Sequence, residues 1–376
     1  MKVIAFYLPQ FHSIPENDEW WGKGFTEWTN VKTAKIYYEG QRQPRVPLND
    51  NYYCLLDKEQ MIWQSELAKQ YGLYGFCFYH YWFNGHLLLE KPLDMYRQEI
   101  DNEKKINYCL CWANETWTRT WADKSKEVLI EQKYGGKEEW KKHFEYLLPF
   151  FKDERYIKEN NKPFFVIYRP ELIKKLGKML DYWNKLAKAE GFDGICYAYQ
   201  QYSYFKHHGK EEKKFTYNIE YQPDYVLEKD KIEKITFKQK VYKLFCPSFI
   251  KKARVKRMDR KVESGEIEYQ PEIYDYDATW NRIIESNPSS NKAIAGVFVD
   301  YDNSPRRKDR GLFFKGVTKD KFDNYFRRQV EHVKNKYKTD YLFIFAWNEW
   351  GESAYLEPDE DIGYSYLESI KKYTSN

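Results

Sequence analysis

The sequence predicts an α/β fold closed into a (β/α)8, TIM-type barrel with long loop insertions, and three observations predict it. Short apolar runs of strand length recur almost from end to end. Amphipathic stretches with a helical period separate them. The residues just beyond the apolar runs are polar and aromatic, as they are where strand ends line a cavity.

The strand-like runs are residues 3–7, 75–81, 106–112, 163–168, 194–199, 296–300 and 342–346, each rich in β-branched or aromatic residues, as buried parallel strands are. An eighth, less regular, falls near 216–221. Helical periodicity spans 56–71, where Ile62, Leu67 and Ala68 share a stripe, and also 137–151, 171–190, 276–285 and 319–336. Strand–helix alternation implies right-handed crossovers and a parallel sheet. A doubly wound sheet competes, but it usually carries a glycine-rich phosphate loop after its first strand. Here Leu8-Pro9-Gln10-Phe11-His12 stands in that place. The expected organisation is one catalytic domain over 1–376, with an insertion at about 200–275 that holds the basic stretch 251–261. That stretch is open to two readings, a solvated face or a ligand site.

Composition narrows the class. Aromatic residues make up 19% of the chain, from 35 Tyr, 24 Phe and 13 Trp, and flat rings with polar tips suit ligand-facing walls. A net charge of +5 is too mild for a nucleic-acid partner. Cys54, Cys77, Cys109, Cys111, Cys196 and Cys246 follow no disulfide or zinc-ligand spacing. Four of them, Cys77, Cys109, Cys111 and Cys196, lie in apolar runs and read as small core residues of a reducing compartment. The N-terminus lacks a signal-peptide pattern. No apolar stretch approaches the roughly 20 residues of a transmembrane segment. A cytoplasmic location is expected, and the sequence carries no signal of oligomeric state.

The strand ends carry the chemistry. Gln10 and His12 follow the first run, and Gly24-Phe25-Thr26-Glu27-Trp28 comes next. The second run ends in Tyr79-His80-Tyr81-Trp82, and the third in Trp112-Ala113-Asn114-Glu115-Thr116-Trp117. Tyr168-Arg169 closes the fourth, and Asp300-Tyr301-Asp302-Asn303 with Arg306 and Arg307 follows the seventh. After the eighth, a core-like run changes abruptly to Trp347-Asn348-Glu349-Trp350-Gly351-Glu352. Two carboxylates three residues apart, turning through Gly351, can converge on one small volume. Glycoside cleavage needs such a pair, one group to protonate the leaving oxygen and one to act at the anomeric carbon. Trp347 and Trp350 would wall it with apolar surface and raise a carboxyl pKa. Trp28, Trp82, Trp117, Trp121 and Trp350 are expected to form an aromatic rim for sugar stacking. His12 and His80 read equally as hydroxyl binders or as satisfied structural histidines.

Two Asp-x-Asp patterns, Asp300-Tyr301-Asp302 and Asp275-Tyr276-Asp277, match the metal–diphosphate pattern of nucleotide-sugar transferases. The Asp275–Asp277 copy reads as a helix N-terminus, where acids suit the dipole. No metal and no cofactor are expected.

Taken in order, these motifs resemble the WbsX-like family, often described as glycosyltransferases of O-antigen or capsule clusters and related to glycoside hydrolase family 99, the endo-α-mannosidases and endo-α-mannanases. The resemblance rests on Tyr7-Leu8-Pro9-Gln10-Phe11-His12, Gly24-Phe25-Thr26-Glu27-Trp28, Trp112-Ala113-Asn114-Glu115, Tyr168-Arg169-Pro170, Asp302-Asn303-Ser304-Pro305-Arg306-Arg307 and the Asn348-Glu349-Trp350-Gly351-Glu352 segment. It implies a (β/α)8 barrel with Glu349 as base toward the substrate 2-hydroxyl and Glu352 as acid and then base. Net retention would follow through an anhydro-sugar intermediate; mannose is not implied. Ser353 departs from the glycine usual in relatives and is expected to narrow the space beside Glu352. The substrate-binding set expected around Glu349 and Glu352 is His12, Glu27, Trp28, His80, Trp82, Trp112, Asn114, Glu115, Trp117, Tyr168, Arg169, Asp302, Arg306, Trp347, Asn348 and Trp350. The expected partner is an oligosaccharide or polysaccharide. Three readings follow: a retaining glycoside hydrolase or transglycosidase, a glycosyltransferase of surface-polysaccharide assembly, and a carbohydrate-binding barrel without catalysis.

Overall fold

Eight apolar runs pair in parallel: β1 Lys2–Tyr7, β2 Gly75–Phe83, β3 Asn107–Trp112, β4 Lys162–Ile167, β5 Cys196–Gln201, β6 Tyr217–Glu220, β7 Ala293–Phe298 and β8 Tyr341–Phe345. Each hydrogen-bonds to the next in sequence, and β1 pairs with both β2 and β8. That double pairing, with Ala5 opposite both Phe76 and Ile344, closes the barrel. The structure, a computed structural model, describes residues 1–119, 127–202, 209–233 and 271–374. The expected β-strand near 216–221 is the sixth stave. Much of the expected insertion, including 251–261, lies outside the described residues.

Helices follow the strands as the periodicity requires. α1 Pro15–Trp21 and α2 Glu27–Lys32 occupy the long passage from β1 to α3 Lys58–Gln70. Then come α4 Lys91–Glu99, α5 Lys137–Lys152, α6 Leu176–Ala189, α7 Asp224–Glu233, α8 Tyr276–Glu285, α9 Ser304–Arg307, α10 Lys319–Lys336 and α11 Ser365–Thr374. The helix expected from 171 starts at Leu176, because Pro170–Leu172 is a separate 3-10 turn. Asp275 caps α8 by accepting from the Ala278 N–H at 2.7 Å, so the Asp275–Asp277 pattern is a helix start. Asp277 is taken by Lys321 and Tyr325.

Aromatic rings fill the barrel interior, where branched aliphatics are the commoner choice. The Phe6 ring lies 5.7 Å from Tyr79, 5.6 Å from Tyr221 and 5.3 Å from Phe343, centroid to centroid. Much of the aromatic content is therefore core. Cys77, Cys109, Cys111 and Cys196 are buried and free, as core residues should be, while Cys54 is exposed. Among the described residues no helix is long and apolar enough to cross a membrane.

Close packing of staves leaves no room for a side chain at Gly296. A Cβ there would lie 1.9 Å from the Glu220 carbonyl oxygen on β6. Gly296→Ala should therefore cost about 2 kcal/mol or more of stability by forcing β6 and β7 apart. Gly136→Ala, where a Cβ would meet nothing within 4 Å, serves as the control. Urea unfolding decides it: equal midpoints for the two variants would contradict the close approach.

Candidate active site

The C-terminal ends of the strands open into a cavity of about 340 Å³. Its chemistry is set by one arginine. Arg306 donates from Nε to Glu27 at 2.7 Å, from one terminal nitrogen to Glu352 at 2.7 Å, and from the other to Glu349 at 2.9 Å. All four side chains line the cavity and are almost wholly withdrawn from bulk solvent.

Four separate segments deliver them. Past β8, Asn348–Glu349 pairs antiparallel with Ala354–Tyr355, and Trp350–Glu352 forms the tight turn between them. The hairpin places Glu349 and Glu352 on the same side. Asn348 anchors it to β1 by accepting from the Leu8 N–H at 2.7 Å and donating to the Leu8 carbonyl at 3.0 Å. Glu27 opens α2, entered through Gly24 with φ +79° and steadied by Thr26 N–H donating to the Thr29 hydroxyl. Arg306 sits on the single-turn α9, whose first N–H, that of Ser304, donates to Asp302 at 2.9 Å. Gly351 is where these segments meet. A Cβ there would lie 1.8 Å from a Glu27 carboxylate oxygen and 2.8 Å from the Arg306 Nε.

Burial pushes the Glu349 carboxyl up to about 8; Glu352 and Glu27 add to the rise and Arg306 opposes it. Three carboxylates on one guanidinium carry excess negative charge in a dry site, and a bound proton relieves it.

Glu115, Trp117 and Tyr168 line the cavity as expected. The Glu115 carboxylate is held by Arg169 at 2.5 Å. Arg169 itself does not line the cavity; it bridges Glu115 and Glu171. Asn114 is buried and clamps the Arg169 backbone, accepting from its N–H and donating to its carbonyl, both at 2.8 Å. It positions rather than binds.

The remaining expected binders face elsewhere. His80 and Trp82 point out of the barrel toward α5, because alternate residues of a strand face opposite sides. His80 meets His143 at 2.8 Å between ring nitrogens, and Trp82 stacks on the His143 ring. Trp112 donates to the Trp82 carbonyl. His12 is buried outside the cavity, and burial holds it down at about 4. Trp28 donates to the Tyr53 carbonyl and packs on Phe11 and Trp350. Trp350 stacks on Tyr355 and donates to Glu357, Trp347 is core, and Asn348 is the anchor already described. The expected tryptophan rim thus reduces to Trp117 among the described residues; Trp121 lies outside them.

Asp302 does not line the cavity. Gln41, Gln43 and the Ser304 N–H occupy its carboxylate, while Arg42 and Arg45 hold Asp300. The Asp300–Asp302 pattern is thus a docking point for residues 41–45. Among the described residues no cluster of three or more His, Cys, Asp or Glu could hold a metal. Ser353 takes the left-handed conformation that favours glycine, with φ +53°, and its hydroxyl accepts from Gln43 at 2.9 Å. It faces away from the cavity, so the expected narrowing beside Glu352 does not occur.

Residues absent from the expected set also line the cavity, among them Tyr79, Tyr81, Tyr202, Tyr221, Asp224, Tyr301, Asn303 and Arg307, with Gln10, Trp21 and Phe25. The signal for Tyr79 and Tyr81 was available, since they alternate with the outward His80 and Trp82.

Arg306→Met should cost about 3–5 kcal/mol, the usual penalty for stranding buried charges. Glu349 already has a folded pKa above its ordinary 4.5, and losing Arg306 raises it further. A group raised on folding contributes its full stability below the unfolded value and loses it as pH rises through the folded one. Both folded forms keep Glu349 protonated below about pH 8, so the deficit should stay level from about pH 5 to pH 8 and widen above that, where only the wild type can ionise it beside Arg306. Urea midpoints measured below and above that pH check it; a deficit that narrows with pH would refute the charge argument.

The fold has relatives. Among solved structures, "Structure of the GH99 endo-alpha-mannosidase from Bacteroides thetaiotaomicron" aligns over 99% of this chain and 96% of that one, with TM-score 0.52 and 12% identity. A "Glycoside hydrolase-like protein" aligns over 100% and 94%, with TM-score 0.54 and 10% identity. At such identities the likeness speaks for the barrel alone. Two curated sequences titled "Uncharacterized protein WxcX", from Xanthomonas campestris pv. campestris strains B100 and ATCC 33913, are 31% and 32% identical over 373 residues. These alignments cover 98% of this chain and 49% of each relative, so the chain spans about half the length of the curated relatives it matches. Residues 3–370 match the family described as "Glycosyltransferase WbsX", and the chain belongs to that family.

Proposed function

We propose that this protein is a carbohydrate-active enzyme that cleaves a glycosidic bond, or transfers it to an acceptor hydroxyl, with net retention and 2-hydroxyl participation, in bacterial surface-polysaccharide metabolism. The observation that carries this reading is the convergence of Glu27, Glu349 and Glu352 on Arg306 at the mouth of a barrel. Glu349 takes the 2-hydroxyl proton as O2 attacks the anomeric carbon. Glu352 gives its proton to the leaving oxygen as the old bond breaks, leaving a 1,2-anhydro sugar. Water or an acceptor hydroxyl then attacks that carbon while Glu352 removes its proton and O2 recovers one from Glu349. Two inversions give retention. The cycle begins with one proton on the carboxylate pair, the number that burial and crowding favour in the empty site. Substrate binding would move it from Glu349 to Glu352.

Transfer from a nucleotide sugar is the alternative reading, favoured by the family's description. The cavity lining disfavours it: five carboxyl groups (Glu27, Glu115, Asp224, Glu349, Glu352) face two guanidinium groups (Arg306, Arg307), and Arg306 is already engaged. A diphosphate would meet net negative charge there.

If Glu352 protonates the leaving group, Glu352→Gln should lose about 10²–10⁴-fold on alkyl glycosides and much less on activated aryl glycosides. Glu349→Gln should show no such rescue, and a 2-deoxy glycoside should be inert with the wild type. Equal losses on both leaving groups for Glu352→Gln, or normal turnover of the 2-deoxy substrate, would reject the assignment.

A pH profile tests the shared proton independently. Since kcat/KM follows the substrate-free enzyme, it should fall as pH rises through about 8, where Glu349 releases its proton. A profile still flat well above that pH would show that the required proton is held elsewhere.

A further inference from the structure

Beyond Glu352 the cavity runs into a corner that the glutamate chemistry does not use. Asp224, the first residue of α7, lines it together with Tyr168, Tyr202, Tyr221 and Tyr301. Each other carboxylate of the cavity has an arginine partner: Arg306 for Glu27, Glu349 and Glu352, and Arg169 for Glu115. Among the described residues no hydrogen bond or close ion pair reaches Asp224. Burial pushes its carboxyl up to about 7, with Glu352 adding to the rise and Lys231 and Arg307 opposing it. The four tyrosines lie close enough for Asp224 to raise each of their pKa values. The Tyr168 and Tyr202 hydroxyls also make no hydrogen bond among the described residues, whereas Tyr301 accepts from Asn303 at 3.3 Å.

A sheltered carboxyl beside two uncommitted phenols is an unfilled hydrogen-bonding surface. We propose that Asp224, Tyr168 and Tyr202 form a hydroxyl-binding subsite for an uncharged sugar ring on the Glu352 side of the cavity, with Asp224 as its specificity-determining residue. This rests on the glycosidic reading. The phenols both donate and accept, and a carboxyl near its own pKa does the same, which matches sugar hydroxyls group for group. An ammonium group only donates and would leave the phenol O–H groups unpaired. A uronate or phosphate would add negative charge beside Glu352 and Asp224.

Saturation-transfer NMR on the intact protein tests this, with methyl glucoside, methyl galactoside and methyl mannoside as neutral probes and glucosamine and glucuronate as charged ones. At least one neutral probe should bind the wild type, and glucuronate should not. Asp224→Ala should weaken that binding by about tenfold, the usual effect of losing a hydrogen bond to a charged or buried group. Asp224→Asn keeps a donor and an acceptor and should retain most of it, with thermal unfolding confirming that both variants fold. Undiminished binding by Asp224→Ala would overturn the subsite while leaving the glycosidic reading in place. Glucosamine binding better than every neutral sugar would overturn the choice of an uncharged ring. A wild type that binds none of the neutral sugars would overturn the glycosidic reading and the subsite with it.

Discussion

The contact on which the site depends is the Arg306 guanidinium shared among Glu27, Glu349 and Glu352. A planar cation with donors on several edges can hold three carboxylates at once; an ammonium offers no such fixed fork. Everything around it serves that geometry. Asp302 and Asn303 fix the single turn that carries Arg306, the Asn303 side chain accepting from the Leu312 N–H at 2.8 Å. The Asp302 N–H donates to the Glu352 carbonyl at 2.8 Å, tying that turn directly to the Glu349–Glu352 hairpin. The absence of a side chain at Gly351 lets Glu27 pass over the hairpin at all.

Behind the hairpin another buried carboxylate has a structural part. Glu357 accepts from Tyr53 at 2.8 Å, from Gln64 at 2.6 Å and from the Trp350 indole at 2.6 Å. Burial pushes its carboxyl up to about 7, and its donors oppose the rise. Three donors make it a satisfied anchor, unlike Glu349, whose single guanidinium is shared with two rivals. Two glutamates eight residues apart thus differ in role because their neighbours differ in charge. A carboxylate paired with neutral donors keeps its place, and one crowded by other carboxylates holds a proton that it can exchange.

The strand order, the eight staves (the sixth less sharply than the rest) and the long helices were legible in the sequence, because buried parallel strands and amphipathic helices write their periods directly. The place of the Glu349–Glu352 hairpin at the cavity was legible for the same reason: an apolar run that breaks into Trp-Asn-Glu-Trp-Gly-Glu announces a change of environment. What misled was side-chain parity. At the end of β2 the imidazole and indole of His80 and Trp82 drew attention, yet the cavity belongs to Tyr79 and Tyr81, one residue out of phase on the pleat. Trp28 and Trp350 were expected at a rim, but large amphipathic rings serve equally as buried supports when a carbonyl or carboxylate takes the indole N–H. Asp224 carried no local signature. Only the barrel, by bringing the start of α7 to the same mouth as the end of β8, places it near Glu352.

The same logic accounts for the barrel's aromatic interior. A floor of Phe6, Tyr79, Tyr221 and Phe345 is apolar in bulk yet can present phenol oxygens at its upper surface. Branched aliphatics would fill that volume but offer the cavity no hydrogen-bonding groups. The rings exclude water from below, which strengthens the electrostatics that crowd a proton onto Glu349. Their hydroxyls at the same time supply the donors and acceptors by which an uncharged polyol could be oriented. One residue type therefore meets two demands that compete in most cavities, dryness for the carboxylates and polarity for the ligand. That pairing accounts for tyrosine at the positions that line the cavity, Tyr79, Tyr81, Tyr168, Tyr202, Tyr221 and Tyr301, each a ring with an oxygen at its tip.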